Sequence, residues 1–208
     1  LEVPVVSGNV SLYNESAQRE ILPTPVVGMM GVVERADRTV GQAFVADDDV
    51  VILIGDEGRL DASEYLGRVE GAPGPVDLDR EIASIEVVLA AAYAGLLRSA
   101  HYVSGGGVAV AITESALAGD RGARVSLEPG RRDDEVLFGE GGGRFVLSVR
   151  PEDADAVLAL AAGRPVRMAA VGVVGGDAVA ITVGDDETVI GMDAAREAYE
   201  AGLPEALA

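Results

Sequence analysis

The chain has 208 residues, 49% of them apolar, a formal net charge of −19 and no cysteine. Its 16 basic residues are all arginine and it has a single histidine, His101. Disulfides, thiolate metal sites, cysteine nucleophiles, His-rich zinc sites and lysine-based phosphate or Schiff-base chemistry are thereby excluded, and the acidity disfavours nucleic acid and anionic membranes as partners.

In chain order, residues 3–13 alternate loosely and read as a strand interrupted by Ser7-Gly8-Asn9. The opening on Leu1, with no leading element, points to a start elsewhere in a longer chain. Pro23-Thr24-Pro25 marks a turn before a buried strand over Val26–Val33, and Glu34–Thr39 reads as a short helical or turn segment. Asp47-Asp48-Asp49 is a polar turn, followed by the apolar strand Val50–Ile54. The Gly71-Ala72-Pro73-Gly74-Pro75 run is the strongest linker signal and places a domain boundary there, dividing the chain into 1–70 and 71–208. Asp77 is the natural cap of a helix of about six turns, with an apolar stripe at Leu78, Ile82, Ile85, Leu89, Ala92 and Leu96.

A strand over Ser99–Val103 follows, then Gly105-Gly106-Gly107 and a helix through Leu117. Strands are expected at Ala123–Leu127 and Phe145–Val149, and a helix over Pro151–Ala162 with Gly163 just beyond its end. Val166–Val174 and Ala178–Val183 read as two strands joined as a hairpin by Gly175-Gly176-Asp177. Asp193–Ala201 is a final helix. The second part is thus an α+β or mixed α/β sandwich with helices on one sheet face. The first part has strands without a covering layer and reads as an incomplete domain. No apolar run is long enough to span a bilayer and no signal-peptide pattern opens the chain, so a soluble cytoplasmic protein is expected.

Candidate chemistry concentrates between Pro4 and Glu15. Gly8 allows a backbone turn, Asn9 offers a carbonyl oxygen suited to Mg²⁺, and Ser11 points the same way as Asn9 in an extended chain. On spacing alone this is a polar turn at a strand end. The Gly105–Gly107 run before a helix admits two readings, a phosphate cradle or a tight turn. Glu34, Asp56, Glu57, Glu64 and Glu140 are Mg²⁺ ligands by residue type, though most read as solvated carboxylates. His101, with no acidic residue near it in sequence, reads as a satisfied, partly buried histidine rather than a base. Asp133-Asp134-Glu135 and Asp185-Asp186-Glu187 read as solvated acidic turns.

The runs SGNVSLYNE (Ser7–Glu15), PTPVVGMMGVVE (Pro23–Glu34), ILIGDEGRLDASEYLG (Ile52–Gly67), SAHYVSGGGVAVAITESALAG (Ser99–Gly119) and LFGEGGGRFVLSV (Leu137–Val149) stand in an order and spacing that resembles the synthetase component of phosphoribosylformylglycinamidine synthase. The resemblance covers essentially the whole chain. Its first motif is specific, whereas the glycine-rich ones are shared with aminoimidazole ribonucleotide synthetase, selenophosphate synthetase and hydrogenase maturation ATPases. It implies the end of a PurM-like ATP-binding α/β domain (1–70) followed by a complete PurM-like C-terminal α+β sandwich domain (71–208).

The resemblance further implies that Gly8 contacts ATP, Asn9 binds Mg²⁺ and Ser11 contacts the substrate, formylglycinamide ribonucleotide. The family's catalytic histidine lies in a first half outside these residues, so no catalytic residue is assigned here. Implied partners are the N-terminal half of the same synthetase, a glutaminase subunit and a small accessory subunit. The chain by itself is expected to be inactive, and its bare strands to pair it with a second copy as a homodimer. Two departures stand out. Tyr102 and Gly105 replace two aspartates of the family pattern, and Gly141-Gly142-Gly143 replace Ser-Gln-Ser, a loss of polar side chains expected at a second, non-catalytic site. Two other readings stay open: another ATP-dependent enzyme of the same superfamily, and a non-catalytic nucleotide-binding scaffold.

Overall fold

The computed structural model describes residues 3–9, 15–17, 20, 25–66 and 75–206. The chain divides into two compact units, Leu1–Ala36 and Asp37–Ala208. In the first unit, none of the described residues belongs to a regular strand, and the only pairing among them is an isolated bridge between Glu15 and Glu20. The strands expected at 3–13 and 26–33 are therefore not found over 3–9 or 26–33, and residues 10–14 lie outside the described residues. Val26, Val27, Met30 and Val32 are exposed rather than buried. An extended segment needs a neighbouring strand to take up its N–H and C=O groups, and none is present among the described residues of this unit.

The second unit is built on one seven-stranded sheet. Its elements in chain order are β1 (Val50–Ile54), α1 (Leu78–Ala94), β2 (Leu97–Tyr102), α2 (Gly107–Gly119), β3 (Ala123–Leu127), α3 (Asp133–Phe138), β4 (Phe145–Val149), α4 (Ala154–Ala159), β5 (Met168–Val174), β6 (Ala178–Val183), β7 (Asp186–Gly191) and α5 (Met192–Ala206). The spatial order is β2-β4-β1-β5-β3-β6-β7. Every neighbouring pair is antiparallel except β3 and β6, which run parallel.

The uninterrupted apolar run Val50–Ile54 becomes β1, an inner strand paired on both edges, by β4 and by β5. Successive side chains point to opposite faces, and both faces carry a core. Val51 joins Val108, Ile112, Val125, Val146 and Ile181 under α2, α3 and α5. Ile52 and Ile54 join Val87, Ala91, Leu147, Val149 and Val157 under α1 and α4. Helices thus cover both faces, not one as expected. The second cluster stops short of β3, β6 and β7. On that side Arg124 pairs with Val173 and Ala180, and Ala180 with Val189, leaving Val173 43% and Val189 57% exposed.

The position of β1 corrects the domain boundary. Strand β1 precedes residue 70 and is nonetheless an inner strand of the sheet whose other strands follow residue 75, all within the unit Asp37–Ala208; residues 71–74 lie outside the described residues. The segment ahead of β1 is also fixed to this unit. The Ala100 amide donates to the Gly41 carbonyl (2.9 Å), and the Phe44 amide to the Ser115 carbonyl (3.0 Å).

Helix α1 starts as expected, with the Asp77 carboxylate accepting from the Arg80 amide at 3.1 Å. It ends at Gly95, whose φ of 72° lets its amide turn back onto the last helical carbonyls. Its buried stripe is Ala83, Ser84, Val87 and Ala91, which at about 100° per residue lies on nearly the opposite side of the helix from the expected line. The larger Leu78 and Leu89 are left exposed on the side away from that stripe.

The expected β5–β6 hairpin does not form. Strand β3 lies between the two, and Gly175 and Gly176 exchange hydrogen bonds with Gly122 (2.8 and 2.9 Å), so the connection passes over the start of β3. The true hairpin is β6–β7, closed by Gly184-Asp185, with Gly184 at φ 60°. Both acidic triplets prove structured. Asp133-Asp134-Glu135 is the first turn of α3, where negative charge suits the helix dipole, and Asp186-Glu187 opens β7.

Candidate functional site

A cleft of about 460 Å³ opens beyond the C-terminal end of β1. Its walls are the segment Gly55–Ala62, the first turns of α1, the loop Glu140–Arg144 leading into β4, and Pro165–Arg167 ahead of β5. Two of these walls touch through backbone alone. A Cβ on Gly58 would fall 2.2 Å from the Gly139 carbonyl, and one on Gly139 2.6 Å from the Gly58 carbonyl carbon. Arg59 and Glu140 then exchange a pair of backbone hydrogen bonds at 2.8 and 2.9 Å. Only paired glycines permit this approach.

The Glu140 side chain fastens a third segment. Its Oε1 accepts from the Glu64 amide at 2.8 Å and from the Gly106 amide at 2.9 Å. Glu140 is therefore a tie between loops rather than a free metal ligand. The same contact decides between the two readings of Gly105–Gly107. The Gly106 amide is occupied by a carboxylate of the protein itself, and the Gly107 amide donates to Ser104 (3.1 Å), so the loop is a turn and not a phosphate cradle.

The remaining charges of the cleft are mostly matched. Arg80 binds Asp56 and also Asp77 (3.2 Å), Arg59 binds Asp61 (3.0 Å), and Arg167 binds Glu128 (2.5 Å). Arg144 is different. It is only 3% exposed, its Nη1 donates to the Gly139 carbonyl at 2.6 Å, and its Nε has no partner. Among the described residues it makes no ion pair. Burial disfavours its charge, and the Glu57 and Asp56 carboxylates nearby partly oppose that effect. Arg144 and Arg167 also line a smaller adjoining pocket of about 200 Å³.

The residues that depart from the family pattern meet here. The Tyr102 hydroxyl donates to Glu81 Oε1 at 3.5 Å, and burial followed by the Glu81 charge pushes the Tyr102 hydroxyl above its ordinary value. A Cβ on Gly142 would lie 2.5 Å from Glu81 Oε2. Glu81 thus occupies the space that a side chain at 142 would need, while Tyr102 donates to it.

Of the site residues expected from sequence, Gly8 and Asn9 lie in the first unit, exposed and outside any strand. A Cβ on Gly8 would meet nothing within 4 Å. Ser11 lies outside the described residues. Among the described residues, no group of three His, Cys, Asp or Glu side chains is placed to hold a metal. Asp56 is held by Arg80, while Glu34, Glu57 and Glu64 are exposed. His101 is satisfied as expected, with Nδ1 3.2 Å from both the Ala111 carbonyl and Ser115 Oγ. Helix α2 also brings Glu114 to 3.4 Å from its Nε2. Ser115 is fully buried and so cannot meet a substrate. Sequence reasoning singled out neither Arg80, Glu81 nor Arg144. The available signal was an arginine directly after three glycines and before an apolar strand.

The chain that forms this sheet and cleft belongs to the AIR synthase related proteins: the C-terminal domain of that family matches residues 46–184. The match begins ahead of β1, in agreement with the corrected boundary. More narrowly, the chain is similar to PurL subunits of phosphoribosylformylglycinamidine synthase, as the motifs implied. It is 43% identical over 188 residues to that of a Thermoanaerobacter species, covering 88% of this chain and 26% of the relative. It is 41% identical over 211 residues to that of Rhodopseudomonas palustris, covering 99% and 28%. The chain spans about a quarter of the length of these curated relatives. In fold it matches Thermotoga maritima PurL complexed with ATP (22% identity, TM-score 0.65, 77% of this chain and 28% of that one). The hydrogenase maturation protein HypE of E. coli is more distant (16%, TM-score 0.55, 74% and 52%).

Proposed function

We propose that this chain is the C-terminal part of a PurL-type synthetase, acting in the cytoplasm in purine biosynthesis as an ATP-dependent carbon–nitrogen ligase. The 43% identity to PurL subunits over 88% of the chain carries this reading. In the reaction, the amide oxygen of formylglycinamide ribonucleotide takes the γ-phosphoryl group of ATP and ADP departs. Ammonia released from glutamine then adds to the imidate carbon and phosphate leaves, giving the amidine. Positioning of the reactants supplies much of the acceleration.

In this reading Gly8 lets the backbone approach ATP, Asn9 supplies one carbonyl oxygen to Mg²⁺, and Ser11 contacts the substrate. Asn9 fits a hard cation by donor type and is exposed. A single oxygen does not make a site, so the other ligands come from nucleotide phosphates, water and residues beyond this chain. The chemistry the ion supplies is neutralisation of phosphate charge. The N-terminal part of the synthetase, a glutaminase subunit and a small accessory subunit complete the assembly, in keeping with a solved PurLQS structure from Thermotoga maritima. Alone, the chain is an inactive scaffold, and its exposed 26–33 segment pairs it with a second copy.

Calorimetric titration with Mg·ATP, for the chain alone and joined to the missing part of the synthetase, tests these roles. Binding by the joined protein that is lost on Asn9→Ala supports them. Unchanged binding in that variant removes Asn9 from the metal site. Amidine formation by the chain alone would overturn the scaffold reading.

A further inference from the structure

Half of one sheet face carries no helix. Helices α1 and α4 cover β1, β2 and β4 on that side, and the core they bury stops short of β3, β6 and β7. The bare strip is a row across four strands: Val173 on β5, Arg124 on β3, Ala180 on β6 and Val189 on β7. Three strand spacings of about 4.8 Å make it roughly 14 Å wide, room for a single helix about 10 Å across. Arg124 is exposed in its middle, and among the described residues its guanidinium has neither a hydrogen bond nor an ion pair. Arg121, Arg164, Arg167 and Arg196, by contrast, each hold a carboxylate. Glu187 shares the face, but it stands two strands away on β7 and does not reach Arg124.

Helix α5 is the converse surface. Met192 and Ala195 in its first turn are buried, Met192 within the core on the opposite face of the sheet. The same stripe continues at helical spacing to Tyr199, yet Tyr199 is 65% exposed. Beside it Asp193, Glu197 and Glu200 form an acidic row at i, i+4 and i+7, and none of them has an ion pair among the described residues. The α5 of the same chain cannot reach the bare strip, because its first turn is anchored on the other side of the sheet. We propose that the strip receives α5 of a second copy, with the Tyr199 stripe on Val173, Ala180 and Val189 and the acidic row over Arg124. Ala198, on the flank away from the acidic row, then lies toward Val189. An apolar strip with one central cation matches an apolar stripe with acids along one edge, and the pairing fixes the direction of the helix. A contact of one short helix belongs with weak, transient interfaces. Two different surfaces meet in it, so each pair keeps one of each free and association continues past two copies. The inference does not depend on the PurL reading and is separate from the pairing through 26–33.

The chain has no cysteine, so introduced ones report this contact alone. Whole chains carrying Val189→Cys and Ala198→Cys are mixed, mildly oxidised and scored for disulfide-linked pairs. The mixture is expected to cross-link roughly five-fold or more above either chain alone, since a disulfide needs its two Cα atoms within about 7 Å. Arg124→Glu in the first chain should lower the yield by roughly five-fold, Glu200→Arg in the second should lower it as well, and the two reversals together should restore it. If the Arg124 variant fails to fold, the loss with Glu200→Arg decides. The proposal is overturned if the mixture cross-links no better than the separate chains, which would give the strip to a helix of another protein. It is also overturned if neither charge reversal changes the yield.

Discussion

Removing the Glu140 carboxylate is expected to loosen three segments at once. Its Oε1 takes the amides of Glu64 and Gly106, two bonds to an ionised acceptor from residues 76 and 34 positions away. Hydrogen bonds to charged groups contribute about 1.5–3 kcal/mol each, and less where water competes. The Glu64 bond is exposed and the Gly106 bond half-buried. Glu140→Ala should therefore cost about 2–3 kcal/mol. For a chain of this size that lowers Tm by roughly 4–12 °C. Glu140→Gln keeps one acceptor oxygen and should lose about half as much. Urea titration of the two variants measures the difference, and hydrogen exchange at Gly106 and Glu64 reports it locally. If Glu140→Ala lies within about 0.5 kcal/mol of the parent and exchange at Gly106 is unchanged, the carboxylate does not tie these loops.

Other substitutions probe the frame around the cleft. A Cβ on Gly119 would fall 2.1 Å from the backbone oxygen of Phe44, which cannot swing away, so Gly119→Ala should destabilise by about 2 kcal/mol or more, read as a lower urea midpoint. Asp77→Ala removes the α1 cap and should cost about 1 kcal/mol by the same measurement. Tyr102 holds its proton more tightly folded than unfolded, where its value is near 10.0. The folded chain therefore binds more protons, and stability present below that pH is lost as pH rises through the higher folded value. Tyr102→Phe should flatten this alkaline decline, checked by thermal melts across that range.

Much of the sheet was legible because its inner strands are short apolar or alternating runs between turn residues. Val50–Ile54, Ala123–Leu127 and Phe145–Val149 all lie where such runs place them. What local pattern could not give was neighbourhood. Gly175-Gly176-Asp177 has the residues of a hairpin, and only the entry of β3 between β5 and β6 makes it a crossover. Acidic triplets resemble solvated turns until a helix start or a strand claims them, as α3 and β7 do. The boundary placed at 71–75 missed β1, since nothing local shows that this strand pairs with strands nearly a hundred residues later. In the cleft, residue type nominated Glu140 for a metal, whereas its partners are main-chain amides invisible to composition. Arg144 went unseen because what sets it apart, a buried Nε with no acceptor among the described residues, is not written in composition or spacing.

The passage of β5 to β6 over β3 has a consequence for how the unit assembles. The link from Val174 to Ala178 must cross two strand spacings, close to 9.6 Å, with only four residue steps. Such a link has little slack. Before β3 arrives, β5 and β6 are free to close on each other as an ordinary hairpin, and that contact must open again to admit the third strand. The competing hairpin is a local trap placed ahead of a distant pairing, so refolding should show a slow phase. Shortening the link by deleting Gly176 should favour the trap, and widening it by one glycine should relieve it.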